Sequence, residues 1–151
     1  MMKISDFLKI RGRPVVTIGA EDTVAAAIQK LVEENIGALP VVTGDNLLLG
    51  IVSERDLLKE CLGRRGAVDR LVKEVMTEHV AVGSPEDDLD YVTSVMKQKT
   101  IRHLPVVVGH DNHKLVGMIS MRDIIDERLK EATAVVRYVG LLRGRPPHRL
   151  V

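Results

Sequence analysis

A chain of 151 residues with 45% hydrophobic content has enough apolar material for one compact domain or for two small ones with a common interior. Its 22 Lys and Arg against 21 Asp and Glu leave a formal charge of +1, which excludes a global field drawing the protein to nucleic acid or an anionic membrane. One Cys, no Trp and 2% aromatics exclude an internal disulfide framework and a platform of rings for single-stranded bases, and make the core aliphatic.

The N-terminal Met1-Met2-Lys3-Ile4-Ser5-Asp6 carries no long apolar segment, and no stretch approaches the roughly 18 to 20 apolar residues of a membrane span, so a cytoplasmic protein is expected. Arg11-Gly12-Arg13 reads as a solvated basic loop, with nucleic-acid contact as the less favoured alternative. Val15-Val16-Thr17-Ile18 is a β-rich run, and Val24, Ala27, Ile28, Leu31 and Val32 form the apolar stripe of a helix that Gly37 is expected to end. Leu39 to Val42 is a second strand, Gly44-Asp45-Asn46 a turn, and Leu47 to Val52 a third strand in hairpin relation to the second. Ser53 then caps a helix carrying Leu57, Leu58, Cys61 and Leu62, with Gly63 as its stop. The order is β-α-β-β-α.

Arg64-Arg65-Gly66-Ala67 reads as a linker, and Leu71 to Thr77 leads into a second copy. Pro40 aligns with Pro105 at an offset of 65, which also matches Ile36 with Ile101 and Val24 with Leu89. The offset becomes 67 between Gly50 and Gly117, which places a two-residue insertion in the hairpin turn. Val80-Ala81-Val82 is the expected strand of this copy, and Ser84, Pro85 and Asp87 the expected N-cap, first turn and acid of a helix with Leu89, Val92 and Met96. Leu104 to Val108 and Lys114 to Ile119 form the second hairpin across Gly109-His110-Asp111-Asn112-His113. After Ser120 an apolar pattern from Ile124 through Leu129 and Val135 runs to Gly140, longer than its counterpart, and its excess is a candidate partner surface. The expected organisation is repeat 1 at 1–66, repeat 2 at 67–130, and a helical extension with a basic tail at 131–151. The fold class is α/β (α+β). Units this small bury too little alone, so they are expected to pack sheet to sheet about a pseudo-twofold axis, with clefts at that axis as ligand sites.

The stretch Gly50-Ile51-Val52-Ser53-Glu54-Arg55-Asp56 recurs as Gly117-Met118-Ile119-Ser120-Met121-Arg122-Asp123. Each copy is a strand end running into a helix start. Ser-x-x-Asp at that place forms a capping box without any ligand. Together with Ile36-Gly37-Ala38-Leu39-Pro40-Val41, Ile101-Arg102-His103-Leu104-Pro105-Val106 and the connector Val72 to Thr77, the pattern resembles a pair of cystathionine-β-synthase (CBS) domains, the Bateman module, over about residues 3 to 130. The resemblance implies a regulatory, non-catalytic module without a fused catalytic or transport domain. It would bind AMP or ATP, in some members NAD or S-adenosylmethionine, in clefts between the repeats, and pair into a homodimer.

On that resemblance Ser53 and Asp56, and Ser120 and Asp123, hold ribose. The carboxylate accepts from both hydroxyls, and the serine can keep its cap. Arg55 and Arg122 project toward phosphate or stand as solvated helix charges. Adenine is expected along Thr17-Ile18 and Val82-Gly83, with the edges at Gly37-Ala38 and at His103, residues that any fold would also place in a core. Arg102 and His103 stand where the first repeat has Gly37 and Ala38, so unequal sites are expected, with phosphate favoured near Arg102 and His103 unless His103 is bonded to backbone. His110 and His113 are read as a polar turn rather than a metal pair. No nucleophile paired with a base, P-loop or metal cluster is present in the pattern, so an enzyme is not expected. The rival reading is an interaction module whose clefts take no ligand.

Overall fold

The computed structural model describes residues 1–140, with side chains described as far as residue 135. Helix α1 spans Ile4–Arg11, strand β1 Ile18–Gly19, helix α2 Val24–Glu34, strand β2 Ala38–Val42, strand β3 Leu48–Ser53 and helix α3 Glu54–Cys61. A 3-10 turn at Ala67–Asp69 and the short helix α4, Val72–Val75, lead to α5 (Leu89–Lys99), β4 (His103–Val108), β5 (Lys114–Ser120) and α6 (Met121–Gly140). The tail Arg143 to Pro147 lies outside the described residues.

In the first repeat β2 and β3 form an antiparallel hairpin with Ala38 opposite Ser53, and β1 joins β2 in parallel with Ile18 opposite Val41. The second hairpin repeats this register with His103 opposite Ser120. Its parallel neighbour shrinks to a bridge between Gly83 and Val106, so the expected strand Val80 to Val82 does not form as a regular element. The first strand is likewise shorter than Val15 to Ile18.

Two helix ends differ from expectation for local reasons. Helix α2 stops at Asn35, which takes the left-handed conformation (φ 51°), and Thr100 does the same after α5 (φ 56°); Gly37 is already the entry to β2. The Ser84 box closes a turn, with Ser84 N–H donating to Asp87 Oδ2 at 2.8 Å, and α5 starts later, capped by Asp88. The turn is used because its carbonyls have other work: Pro85 and Asp87 accept from Ser5 and Ile4 at 3.0 and 2.8 Å.

Those bonds belong to an exchange. Helix α1 precedes the first repeat but docks on the second, and α4 precedes the second repeat but docks on the first, where Val72 and Lys73 donate to Asp22 and Ala20 at 2.8 and 3.0 Å. Two apolar cores result. One joins Ile4 and Phe7 to Leu89, Val92, Met96, Leu104, Val106 and Ile119. The other joins Val72 to Ile18, Val24, Ala27, Leu39, Val41, Val52 and Leu57. The repeats also meet at their hairpin tips, where Leu48 N–H donates to His113 O (3.0 Å) and Leu115 N–H to Asn46 O (3.0 Å), with Asn46 Nδ2 donating to Leu115 O at 2.8 Å.

Glycine is required where each docked segment crosses a hairpin. A Cβ on Gly50 would meet Thr77 O at 2.6 Å and Met76 Sδ at 3.1 Å, and one on Gly117 would meet Leu8 Cδ1 at 2.5 Å. The first obstacle is backbone and the second the end of a flexible side chain. Gly50→Ala is therefore expected to destabilise the fold by about 2 kcal/mol and Gly117→Ala by clearly less, as overpacking does when neighbours can shift, which urea denaturation will measure.

Candidate functional site

Each repeated motif is built the same way at its centre. β3 ends at Ser53, whose hydroxyl accepts from Asp56 N–H at 3.2 Å, while Asp56 Oδ2 accepts from Ser53 N–H at 3.2 Å and from its hydroxyl at 2.9 Å. β5 ends at Ser120, whose hydroxyl accepts from Asp123 N–H at 3.1 Å, and Asp123 Oδ2 accepts from Ser120 N–H at 2.9 Å. Both are capping boxes that satisfy orphan donors at a helix start. In each case one carboxylate oxygen, Oδ2, is committed to the box. Asp56 Oδ1 accepts no hydrogen bond among the described residues.

The surroundings of the two carboxylates differ. Arg11, at the end of α1, donates through Nη1 to Asp123 Oδ2 at 3.0 Å and to Met118 O at 2.7 Å, and Arg13 Nη2 lies 3.5 Å from Asp123 Oδ1. The Arg11 and Asp123 side chains are only 14% and 12% exposed, so this pair is largely withdrawn from water. The basic loop expected at Arg11 to Arg13 is thus corrected for Arg11: its guanidinium is packed inside, 5.8 Å from the Phe7 ring centroid, while Arg13 is exposed. In the first repeat the matching carbonyl, Ile51 O, accepts from the backbone N–H of Thr77 at 2.9 Å. No arginine is needed there, and Asp56 makes no ion pair among the described residues.

The difference follows from chain geometry. Ile4 and Leu8 hold the places on the second repeat that Val72 and Met76 hold on the first. Helix α4 then ends and the chain becomes extended at Met76 and Thr77, whereas α1 continues to Arg11 before Gly12 turns it (φ 62°). The last turn of a helix has no free backbone donor to offer β5, so the Arg11 side chain supplies one. Motif reading gives Leu8 and Arg11 no part in the site and takes Met76 and Thr77 only as the end of the connector. Aligning Ile4-Ser5 with Val72-Lys73 would have found them.

The other expected residues fall around these centres. Ile18 is buried in β1, and Thr17 is half-buried with its carbonyl accepting from Lys30 Nζ at 2.6 Å. Gly83 is buried beside Val106 and Val82 is partly exposed. Ala38 is buried in β2, and Gly37 O accepts from Glu54 N–H at 2.9 Å, as Arg102 O does from Met121 N–H at 2.8 Å. Arg55, Arg102 and Arg122 are exposed. His103 crosses between the repeats: a Cβ on Gly37 would lie 3.4 Å from its Cε1, so the imidazole rests on the glycine, with Glu54 beside it. Burial, reinforced by the Arg102 charge, holds the His103 pKa below its ordinary 6.5 against the opposing pull of Asp123 and Glu54. The shift favours the neutral ring over the cation. A concavity of about 540 Å³ lies elsewhere, its described lining being Asp126, Leu129, Lys130, Thr133 and Ala134 of α6. Among the described residues no cluster of His, Cys, Asp and Glu fits a metal ion, and no helix is long and apolar enough to cross a membrane.

The CBS domain family model matches twice, at residues 5–63 and 72–130. The chain belongs to the CBS-domain family. This CBS pair is 31% identical over 122 residues to the CBS domain-containing protein YhcV of Bacillus subtilis, covering 80% of the chain and 83% of YhcV. Its fold matches the crystal structure of the CBS-domain containing protein ATU1752 from Agrobacterium tumefaciens with a TM-score of 0.75 at 32% identity, over 84% of this chain and 99% of that one. It also matches the CBS domain pair of protein MJ0100, solved in complex with 5-methylthioadenosine and S-adenosyl-L-methionine, with a TM-score of 0.73 at 26% identity, over 88% and 98% of the two chains. Other curated relatives are longer: the CBS pair spans 60% of an uncharacterized 17.7 kDa protein of Acidianus ambivalens and 22% of the inosine-5'-monophosphate dehydrogenase of Methanocaldococcus jannaschii.

The lowered His103 pKa fixes a direction of pH dependence. Well above pH 6.5 the ring is neutral folded and unfolded, and its contribution is complete; as pH falls through 6.5 the unfolded chain takes the proton first and stability is lost. Urea midpoints measured at about pH 7.5 and about pH 5.5 are expected to fall toward acid, and to fall less in His103→Gln.

Proposed function

We propose that this CBS pair is a non-catalytic, cytoplasmic regulatory module that binds an adenine nucleotide, AMP or ATP, at its motif aspartates and acts as a homodimer. The observation that carries the reading is the Asp56 centre: a carboxylate at a helix N-terminus, with one oxygen fixed by the capping box and the other without a hydrogen-bond partner among the described residues. Such an oxygen suits a ribose diol, which brings two neutral donors to one acceptor. The adenosyl ligands of the MJ0100 pair support an adenosine derivative as the ligand class. Exposed Arg55, one residue before Asp56, supports a phosphate on it, as do Arg102 and Arg122 in the other half. Binding changes the packing of the repeats only by the difference in ligand affinity between two arrangements, and His103 on Gly37 is the contact that such a change would alter.

Homodimerisation is supported by apolar side chains left in water: Val32 on α2, Leu58 on α3, Tyr91 on α5, and Ile125 and Leu129 on α6 are each more than half exposed. A second reading, an interaction module without ligand, is favoured by one feature, the engagement of Asp123 by Arg11 and Arg13.

Calorimetric titration with AMP, ATP, NAD and S-adenosylmethionine separates these readings. Sub-millimolar binding of at least one, weakened about tenfold or more by Asp56→Ala or Asp123→Ala, is the expected outcome, and no binding by any of the four excludes the nucleotide reading. Light scattering reads the assembly. Leu129→Asp is expected to lower the mass from dimer toward monomer, and an unchanged mass takes α6 out of the interface.

A further inference from the structure

We infer that Arg11 is a positioning residue of the second motif: it takes the place on Asp123 Oδ2 that the serine hydroxyl takes in the first motif, and so leaves the Ser120 hydroxyl free to donate to a ligand's ribose. The inference rests on the nucleotide reading above and adds to it a residue and a difference between the two motifs.

The two carboxylates share one plan with a single exchange. Asp56 Oδ2 accepts from Ser53 N–H at 3.2 Å and from the Ser53 hydroxyl at 2.9 Å. Asp123 Oδ2 accepts from Ser120 N–H at 2.9 Å and from Arg11 Nη1 at 3.0 Å. A carboxylate oxygen has lone pairs for about two strong hydrogen bonds, so a guanidinium on Oδ2 leaves no place there for the serine hydroxyl. Ser120 Oγ accordingly accepts from Asp123 N–H at 3.1 Å and donates to no acceptor among the described residues. Ser120 is half-buried at the end of β5, so that proton is not sealed in the core. The contact that frees it is firmly held: the Arg11 and Asp123 side chains are largely withdrawn from water, and Nη1 also donates to Met118 O at 2.7 Å.

Neither arginine closes the motif to ribose. Arg11 sits on Oδ2, and Oδ1 is the oxygen left for the diol. Arg13 Nη2 lies 3.5 Å from Oδ1, but its side chain is 69% exposed, and an exposed ion pair is weak enough for a ligand to displace. A ribose hydroxyl is donor and acceptor at once. At the second motif the diol can donate to Asp123 Oδ1 while one of its oxygens accepts from Ser120. At the first motif the same acceptance requires the Ser53 hydroxyl to give up a bond to a charged oxygen, which is stronger than the bond to a neutral ribose that would replace it.

The test isolates each motif in the full chain. Asp56→Asn leaves the second motif and Asp123→Asn the first, and each protein is titrated with adenosine and with AMP. Ser120→Ala is expected to weaken both ligands about fivefold or more at the second motif, and Ser53→Ala to weaken them by less than about twofold at the first. Loss of the cap is common to the two substitutions, so their difference reads the hydroxyl donor. Arg11→Met removes the donor on Oδ2 and is expected to weaken both ligands at the second motif as much as Ser120→Ala does, with no further loss when the two are combined. A role of Arg11 confined to holding α1 gives independent losses instead. Arg11→Lys keeps a cation for Oδ2 and is expected to stay within about twofold of the parent. Arg11→Met in Asp123→Asn protein is expected to leave the first motif unchanged, which separates a local effect from a failure to fold. Equal costs of the two serine substitutions, full affinity after Arg11→Met, additive losses in the double variant, or Asp56→Asn protein that binds neither ligand when the wild type does, each overturn the inference while the nucleotide reading stands. If the wild-type chain binds neither adenosine nor AMP the inference falls, and the nucleotide reading falls with it when the four-ligand titration is also silent.

Discussion

Four backbone hydrogen bonds carry the exchange on which the rest of the molecule depends. Ile4 and Ser5 donate to the turn before α5, and Val72 and Lys73 to the turn before α2. Each turn would otherwise present unpaired carbonyls next to an uncovered core. The first residue of each docked helix, Ile4 or Val72, is fully buried, so the same contact closes the sheet's apolar face. The close crossings at Gly50 and Gly117 follow from this docking, because a segment pinned at its start must pass directly over the hairpin.

The inequality of the two sites descends from the same constraint. Both docked segments start alike, but α1 stays helical for a turn longer than α4. The backbone donors of its last turn are spent within the helix, and the hairpin edge is served by a guanidinium instead. That guanidinium then reaches the motif carboxylate. A difference in local secondary structure, far in sequence from Asp123, has become a difference in charge at the site.

The repeat, the hairpins and the capping boxes were legible in the sequence because they are local. Alternation in Leu39 to Val52 and the Ser53 to Asp56 spacing each involve near neighbours, and the register Ala38 to Ser53 follows from them. The Ser84 box was local too and yet misplaced a helix start, since the same serine and acid spacing closes a turn equally well. Gly37 misplaced a helix end because Asn35 accepts the left-handed conformation two residues earlier. What the sequence could not display was Arg11 on Asp123, a contact across 112 positions that exists only after the exchange of segments. The visible charge difference between the repeats lies at Arg102 and His103. His103 proves to be an interface ring held toward neutrality, and the arginine closest to the carboxylate comes from outside the aligned blocks.

The crossing of α1 and α4 makes each repeat depend on the segment that leads into the other. A solitary repeat carrying its own leading helix would have a helix with no groove to fill and a groove with no helix. Two identical copies would cure both defects by trading helices reciprocally. The tandem chain holds that reciprocal trade within one molecule, where the two copies need not be identical. The extra turn that ends at Arg11 is such a difference, open to a tandem pair and closed to two identical halves.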